Sequence, residues 1–289
     1  MFNVDIQQKQ YKTYVLSDNS TQARAEVLPE RGGIVTRWSI ADQELLYLDE
    51  ERLTDPSLTV RGGIPILFPI CGNLPDNTYT HNGQTYTLKQ HGFARNLPWQ
   101  VSRTESIANA SVTVVLASNA ETLAVYPFEF RLEFTYILRG NCLELRQQVV
   151  NVGHEPMPFS LGLHPYFWAP NKTRLEFEIS ANRFQDQRSG IMHDFLGGFD
   201  FDLDEVDVLF REPTASSSAV QDYSRNLQVQ TSYEDPYSML VFWTLKGKDF
   251  YCLEPWTAGR NAINTGDRLT WLEPAARLST NVRLMALSL

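Results

Sequence analysis

Apolar and polar residues alternate with a period of two over much of the chain. Phe128, Phe130, Leu132, Phe134, Tyr136 and Leu138 fall on one side, with Glu129, Arg131, Glu133 and Thr135 on the other. That spacing predicts a long half-buried strand. Arg139-Gly140-Asn141 reads as a turn, and residues 142–151 alternate again, so the two runs predict an antiparallel hairpin. Residues 175–179 repeat the pattern, and 112–116, 227–231, 239–243 and 282–287 read as further strands, several apolar on both faces. No stretch sustains the apolar spacing of an amphipathic helix beyond a turn or two, and Gly, Pro, Asn and Asp interrupt the chain throughout. The expected fold class is all-β, a large antiparallel sandwich or barrel. The softest stretch, residues 212–222 with its run of serines, is short enough for a surface loop, so residues 1–289 are read as one domain.

Composition adds exclusions. Hydrophobic residues make up 43% of the chain and charged residues 20%, which supplies a large core and argues against disorder. The net charge of −9 comes without any basic block, which disfavours nucleic acid and anionic membrane surfaces as partners. A neutral small molecule is favoured, although a local arginine cluster could receive an anion. The first residues lack the basic and apolar regions of an export signal, so a cytoplasmic location is expected. Cys71, Cys142 and Cys252 are odd in number and set among apolar neighbours, which suits reduced core thiols.

Candidate chemistry lies where polar residues interrupt apolar runs. In Phe250-Tyr251-Cys252-Leu253-Glu254-Pro255-Trp256 a single carboxylate sits among apolar and aromatic residues. Burial would raise its pKa toward the range of a general base; a strand-end glutamate facing solvent is the alternative, one register step away. Arg61-Gly62-Gly63-Ile64-Pro65 holds an arginine at the edge of an apolar run, either as a ligand or as a solvated turn residue. His91 and Arg95 are four residues apart in Gln90-His91-Gly92-Phe93-Ala94-Arg95, an offset that would point both the same way in an extended segment. His164, in Leu163-His164-Pro165-Tyr166-Phe167, is open between a satisfied core histidine and a catalyst. The acidic run at 199–207 fails as a calcium loop, because Glu205 stands where the essential glycine belongs and Arg211 where the last glutamate belongs. Phosphate loops, dinucleotide fingerprints and Gly-x-Ser-x-Gly elbows are missing from the sequence.

Taken in order, the Arg61, His91, His164 and Glu254 segments resemble the aldose 1-epimerase (galactose mutarotase-like) family. The resemblance implies a large antiparallel β-supersandwich that binds a sugar in an open groove without metal or organic cofactor. It implies Glu254 as the general base for the anomeric hydroxyl, His164 as the general acid for the ring oxygen, and His91 as the group that orients the sugar. Arg61 matches the family's groove arginine, and Asp207 lines up loosely with an aspartate that binds sugar hydroxyls. Arg61 and Arg95 also match arginines that receive phosphate in the hexose-6-phosphate 1-epimerase branch, whereas residues 73–86 look more like a bacterial mutarotase-like branch. A free aldohexose therefore ranks slightly ahead of a phosphosugar. A non-catalytic sugar-binding module on the same sandwich is the competing class, with Phe68, Tyr166, Phe167 and Trp256 as stacking or core residues. A glycoside hydrolase or lyase ranks below it, since only Asp207 offers a second carboxylate, and a metal on His91, His164 and Glu254 ranks low because the matching family residues bind sugar directly. The geometric expectation is that Glu254 faces the groove across a sugar-sized gap from His164, with Cys252 on the same face of its strand and Leu253 on the other.

Overall fold

The computed structural model describes residues 1–289 as strands with a few short helical turns. The hairpin predicted from the longest alternation is present as Phe130–Arg139 paired with Cys142–Asn151. It forms the middle of an eight-stranded antiparallel sheet, ordered 175–179, 217–222, 227–233, 277–288, 142–151, 130–139, 110–117 and 100–105. The inward residues Phe130, Leu132, Phe134, Tyr136 and Leu138 are fully buried, as a half-buried strand requires. The N-terminal 44 residues form a five-stranded meander, and a second eight-stranded sheet runs through 192–194, 183–186, 205–210, 239–245, 250–256, 162–163 and 66–67, with 166–168 also paired to 250–256.

This last sheet carries the site, and its alternation explains why its strands are apolar on both faces. Val206, Val208, Phe210, Leu240, Phe242, Tyr251 and Leu253 point into the main core of 57 buried residues. The odd-even partners Leu209, Met239, Val241 and Trp256 form a separate small cluster with Leu67 and Cys71 on the opposite face. Register aligns the polar groups on that second face: Asp207 lies beside Trp243, Trp243 beside Cys252, and Cys252 beside Tyr166. In the neighbouring row Val241 pairs with Glu254, and in the next Met239 and Gly162 flank Trp256. A one-residue slip of the strand Phe250–Trp256 would send Glu254 into the phenylalanine-rich core, so the core pins the orientation of the site.

Candidate active site

Glu254 and Trp256 are two residues apart on one strand and therefore face the same cavity. The cavity has a volume of about 510 Å³, and His91, Arg95, Arg61, His164 and Asp207 line it as well. All six residues singled out from the sequence thus meet in one place. Cys252 shares the face of Glu254, its sulfur within 4.8 Å of the His164 and Glu254 ligand atoms, while Leu253 packs into the core.

His164 sits in the link between the short strands Gly162–Leu163 and Tyr166–Trp168, where Pro165 breaks the ladder. Its backbone N–H donates to the Pro65 carbonyl at 3.0 Å, and its ring stacks on Tyr166 with centroids 4.7 Å apart. The imidazole Nε2 lies 3.3 Å from Glu254 Oε1, and the indole Nε1–H of Trp256 donates to Glu254 Oε2 at 3.1 Å. The expected sugar-sized gap is therefore replaced by direct contact. The two hemiacetal oxygens are bonded to one carbon, so groups serving them need to be neighbours rather than opposite walls.

Glu254 is 1% exposed and His164 7%. Burial pushes the carboxyl well above its ordinary value, and Asp207 adds to the rise; Trp256, Arg260 and Arg95 oppose it. Burial, helped by Arg95, pulls the imidazole down to about 3. Both directions favour the uncharged forms over separated charges in this buried contact.

His91 reaches the cavity through an irregular backbone, not an extended one. It occupies the left-handed region at φ 66°, and residues 94–96 form a turn of 3-10 helix, which corrects the expectation that an even offset in an extended segment aligns it with Arg95. Gly92, at φ 68°, passes so close to Phe68 that a Cβ would lie 2.2 Å from its carbonyl oxygen. The loop is tied to Gly72 twice: the His91 N–H donates to the Gly72 carbonyl at 2.7 Å, and the Gly72 N–H donates to His91 Nδ1 at 3.0 Å. Since Nδ1 accepts, the neutral ring carries its proton on Nε2. Burial, with Arg95, His164 and Arg260 nearby, holds His91 neutral by lowering its pKa well below the ordinary value, so it is a fixed hydrogen-bond donor.

Asp207 is buried and bound at 2.6 Å by Arg260 Nη2, with Gln187 Nε2 donating to its other oxygen at 2.7 Å. Burial raises its pKa while Arg260 opposes the rise. Arg260 also donates to Gln187 Oε1 at 2.9 Å and Asn73 Oδ1 at 3.0 Å, so it closes one end of the cavity. Arg95 donates to the Gln90 carbonyl at 2.9 Å. Along the same wall, Trp243 Nε1 donates to Glu205 at 2.8 Å. Arg260, Gln187, Glu205 and Trp243 were not identified from sequence. One signal for Arg260 was present: an aspartate inside the apolar run Val206–Phe210 requires a cation if it is buried.

His164, Cys252 and Glu254 are the residues whose donor atoms are close enough to hold a metal. Burial and Glu254 push the Cys252 thiol well above its ordinary pKa, which disfavours the thiolate a metal needs.

The fold is a large antiparallel sandwich with a buried histidine–carboxylate contact at the wall of a polar cavity. The family model for aldose 1-epimerase matches residues 12–270, and the chain belongs to that family, an isomerase family of the epimerase and mutarotase type. The solved Slr1438 protein of Synechocystis sp. PCC 6803 is 43% identical with full coverage of both chains and a TM-score of 0.95. A galactose mutarotase-like protein of Clostridium acetobutylicum shares the fold at 22% identity and a TM-score of 0.85, covering 100% of this chain and 99% of that one. Protein LacX of Lactococcus lactis subsp. lactis is 29% identical over 82% of this chain and 86% of its own. A Cenchrus ciliaris protein named "Putative glucose-6-phosphate 1-epimerase" is 32% identical over 51% of this chain and 44% of its own length. No helix is long and apolar enough to cross a membrane.

Proposed function

We propose that the protein interconverts the α and β anomers of an aldohexose. The observation that carries this reading is the buried contact of 3.3 Å between His164 Nε2 and Glu254 Oε1 at the wall of the cavity. In the competent form the pair is a carboxylate beside an imidazolium. Glu254 takes the proton from O1–H, the O1 electrons form the C1=O1 double bond, and the C1–O5 bond breaks as O5 receives the Nε2 proton of His164. The pair keeps its single proton, now on the carboxyl. Rotation about C1–C2 exposes the other carbonyl face, and closure runs the two transfers backward to the opposite anomer. The His91 Nε2–H orients a sugar oxygen, and the Asp207–Arg260–Gln187 group receives hydroxyls at one end.

A phosphorylated aldohexose is the second reading, favoured by Arg52 and Arg61 at the cavity wall beside Arg95. The test is magnetisation exchange between α and β anomers of glucose, galactose and glucose 6-phosphate. Exchange faster than buffer with at least one of them is expected. No acceleration with any would sink the reading; the ranking of glucose against glucose 6-phosphate decides between the two substrates.

A further inference from the structure

We infer that Trp256 is a positioning residue for the reaction: its indole N–H holds one oxygen of Glu254 so that only the other is presented to His164 and the sugar. The inference rests on the mutarotase reading of the site. Glu254 can rotate about its last bond, and a carboxylate free to turn would offer its proton-accepting lone pairs in many directions. Its oxygens are distinguished here, because Oε2 accepts from Trp256 Nε1 at 3.1 Å while Oε1 lies 3.3 Å from His164.

The indole is itself held on several sides. Trp256 is 1% exposed and stands opposite Gly162 in the ladder. A Cβ at Gly162 would lie 3.0 Å from the indole Cδ1, so the missing side chain makes room for the ring. The other edge meets the His91 imidazole, with centroids 5.7 Å apart and planes at 80°. One ring thereby touches the base directly and the orienting histidine by packing, while the strand places it two residues from Glu254. An indole N–H neither gains nor loses a proton at ordinary pH, so it can fix the carboxylate without competing in proton transfer. Its donation also stabilises the ionised form against burial, the direction in which Trp256 acts on Glu254.

The test removes the N–H, with the bicyclic bulk kept in one of two variants. Trp256→Phe is compared with the wild type, and a second protein carries benzothienylalanine at 256, which preserves the bicyclic shape but has sulfur in place of N–H. Both are expected to lose about 10- to 100-fold in kcat with little change in KM, the scale of a misaligned reacting group. The kcat/KM profile should move to higher pH, because the carboxylate loses a donor, and difference infrared spectroscopy should show the Glu254 carboxyl titrating higher. A purely packing role would spare the benzothienylalanine protein and leave both readouts unmoved, which would overturn the inference. A wild type that exchanges no anomers refutes the mutarotase reading, whereas the infrared shift follows the Trp256 contact independently of turnover.

Discussion

Glu254→Gln separates the chemistry of the site from its architecture. The substitution keeps the shape of the side chain: the amide oxygen can still accept from Trp256 Nε1, now 3.1 Å from Oε2, and the amide nitrogen can donate across the 3.3 Å contact to an unprotonated His164 Nε2. What disappears is the carboxylate that the proposed mechanism needs to take a proton from O1. A positioned proton-transfer group contributes about 10²- to 10⁴-fold, so kcat should fall by that factor with KM within about threefold of wild type. Because both groups serve the same proposed ring opening, Glu254→Gln combined with His164→Asn should be little slower than either alone. Stability should move the opposite way. The folded-state pKa of Glu254 is raised above its unfolded value, so its contribution to stability is present at low pH and is lost as pH rises above the ordinary carboxyl range. At pH 8 the variant, which has no carboxyl to protonate on folding, should therefore melt higher than wild type, by about 2–4 °C for each kcal/mol relieved, and the advantage should shrink toward pH 4. The assays are anomer exchange by NMR and thermal melts at the two pH values. Turnover within about twofold of wild type would refute the assignment of Glu254 as the group that takes the O1 proton.

Three further expectations concern the surrounding groups. Burial raises Glu254 and lowers His164 to about 3, so both groups favour their uncharged forms. The kcat/KM profile should then show no inflection near 6.5, the value of a free imidazole, and an inflection there would contradict a neutral buried His164. Arg260→Ala strips the cation from Asp207 and should cost about 2–3 kcal/mol, below the usual 3–5 for a buried pair because the Arg260 side chain is 29% exposed. Thermal melts check the loss, and Asp207→Asn in the same background should restore part of it. His91→Ala leaves the Gly72 N–H without its acceptor, which should cost about 1–3 kcal/mol and raise KM about tenfold; a KM unchanged from wild type would remove His91 from sugar orientation.

The fold was legible where one periodicity had one meaning. Phe130 to Leu138 alternates cleanly because one face meets the core and the other meets water, and it became a central strand of the large sheet. Strands such as Met239–Leu245 give weaker patterns because both faces carry apolar residues, one packed in the core and the other lining the cavity. Their lack of alternation was itself a trace of the site. The motif residues could be gathered into one cavity by resemblance, but their geometry could not, since His91 and Arg95 are placed by left-handed residues and a short 3-10 turn and not by any regular repeat. Arg260 was hidden for a related reason: it comes from the loop after the strand of Glu254 and meets Asp207, 53 residues away, through a register that only sheet pairing fixes. The sequence predicts a sugar-sized gap between Glu254 and His164, and the structure instead brings Nε2 and Oε1 to 3.3 Å. A gap as wide as a sugar ring exceeds what the proposed ring opening needs, which is access to two oxygens on one carbon. The short contact meets that smaller demand. Tuning the carboxyl is then a matter of what surrounds it: burial and Asp207 push it up, while Trp256, Arg260 and Arg95 pull it down.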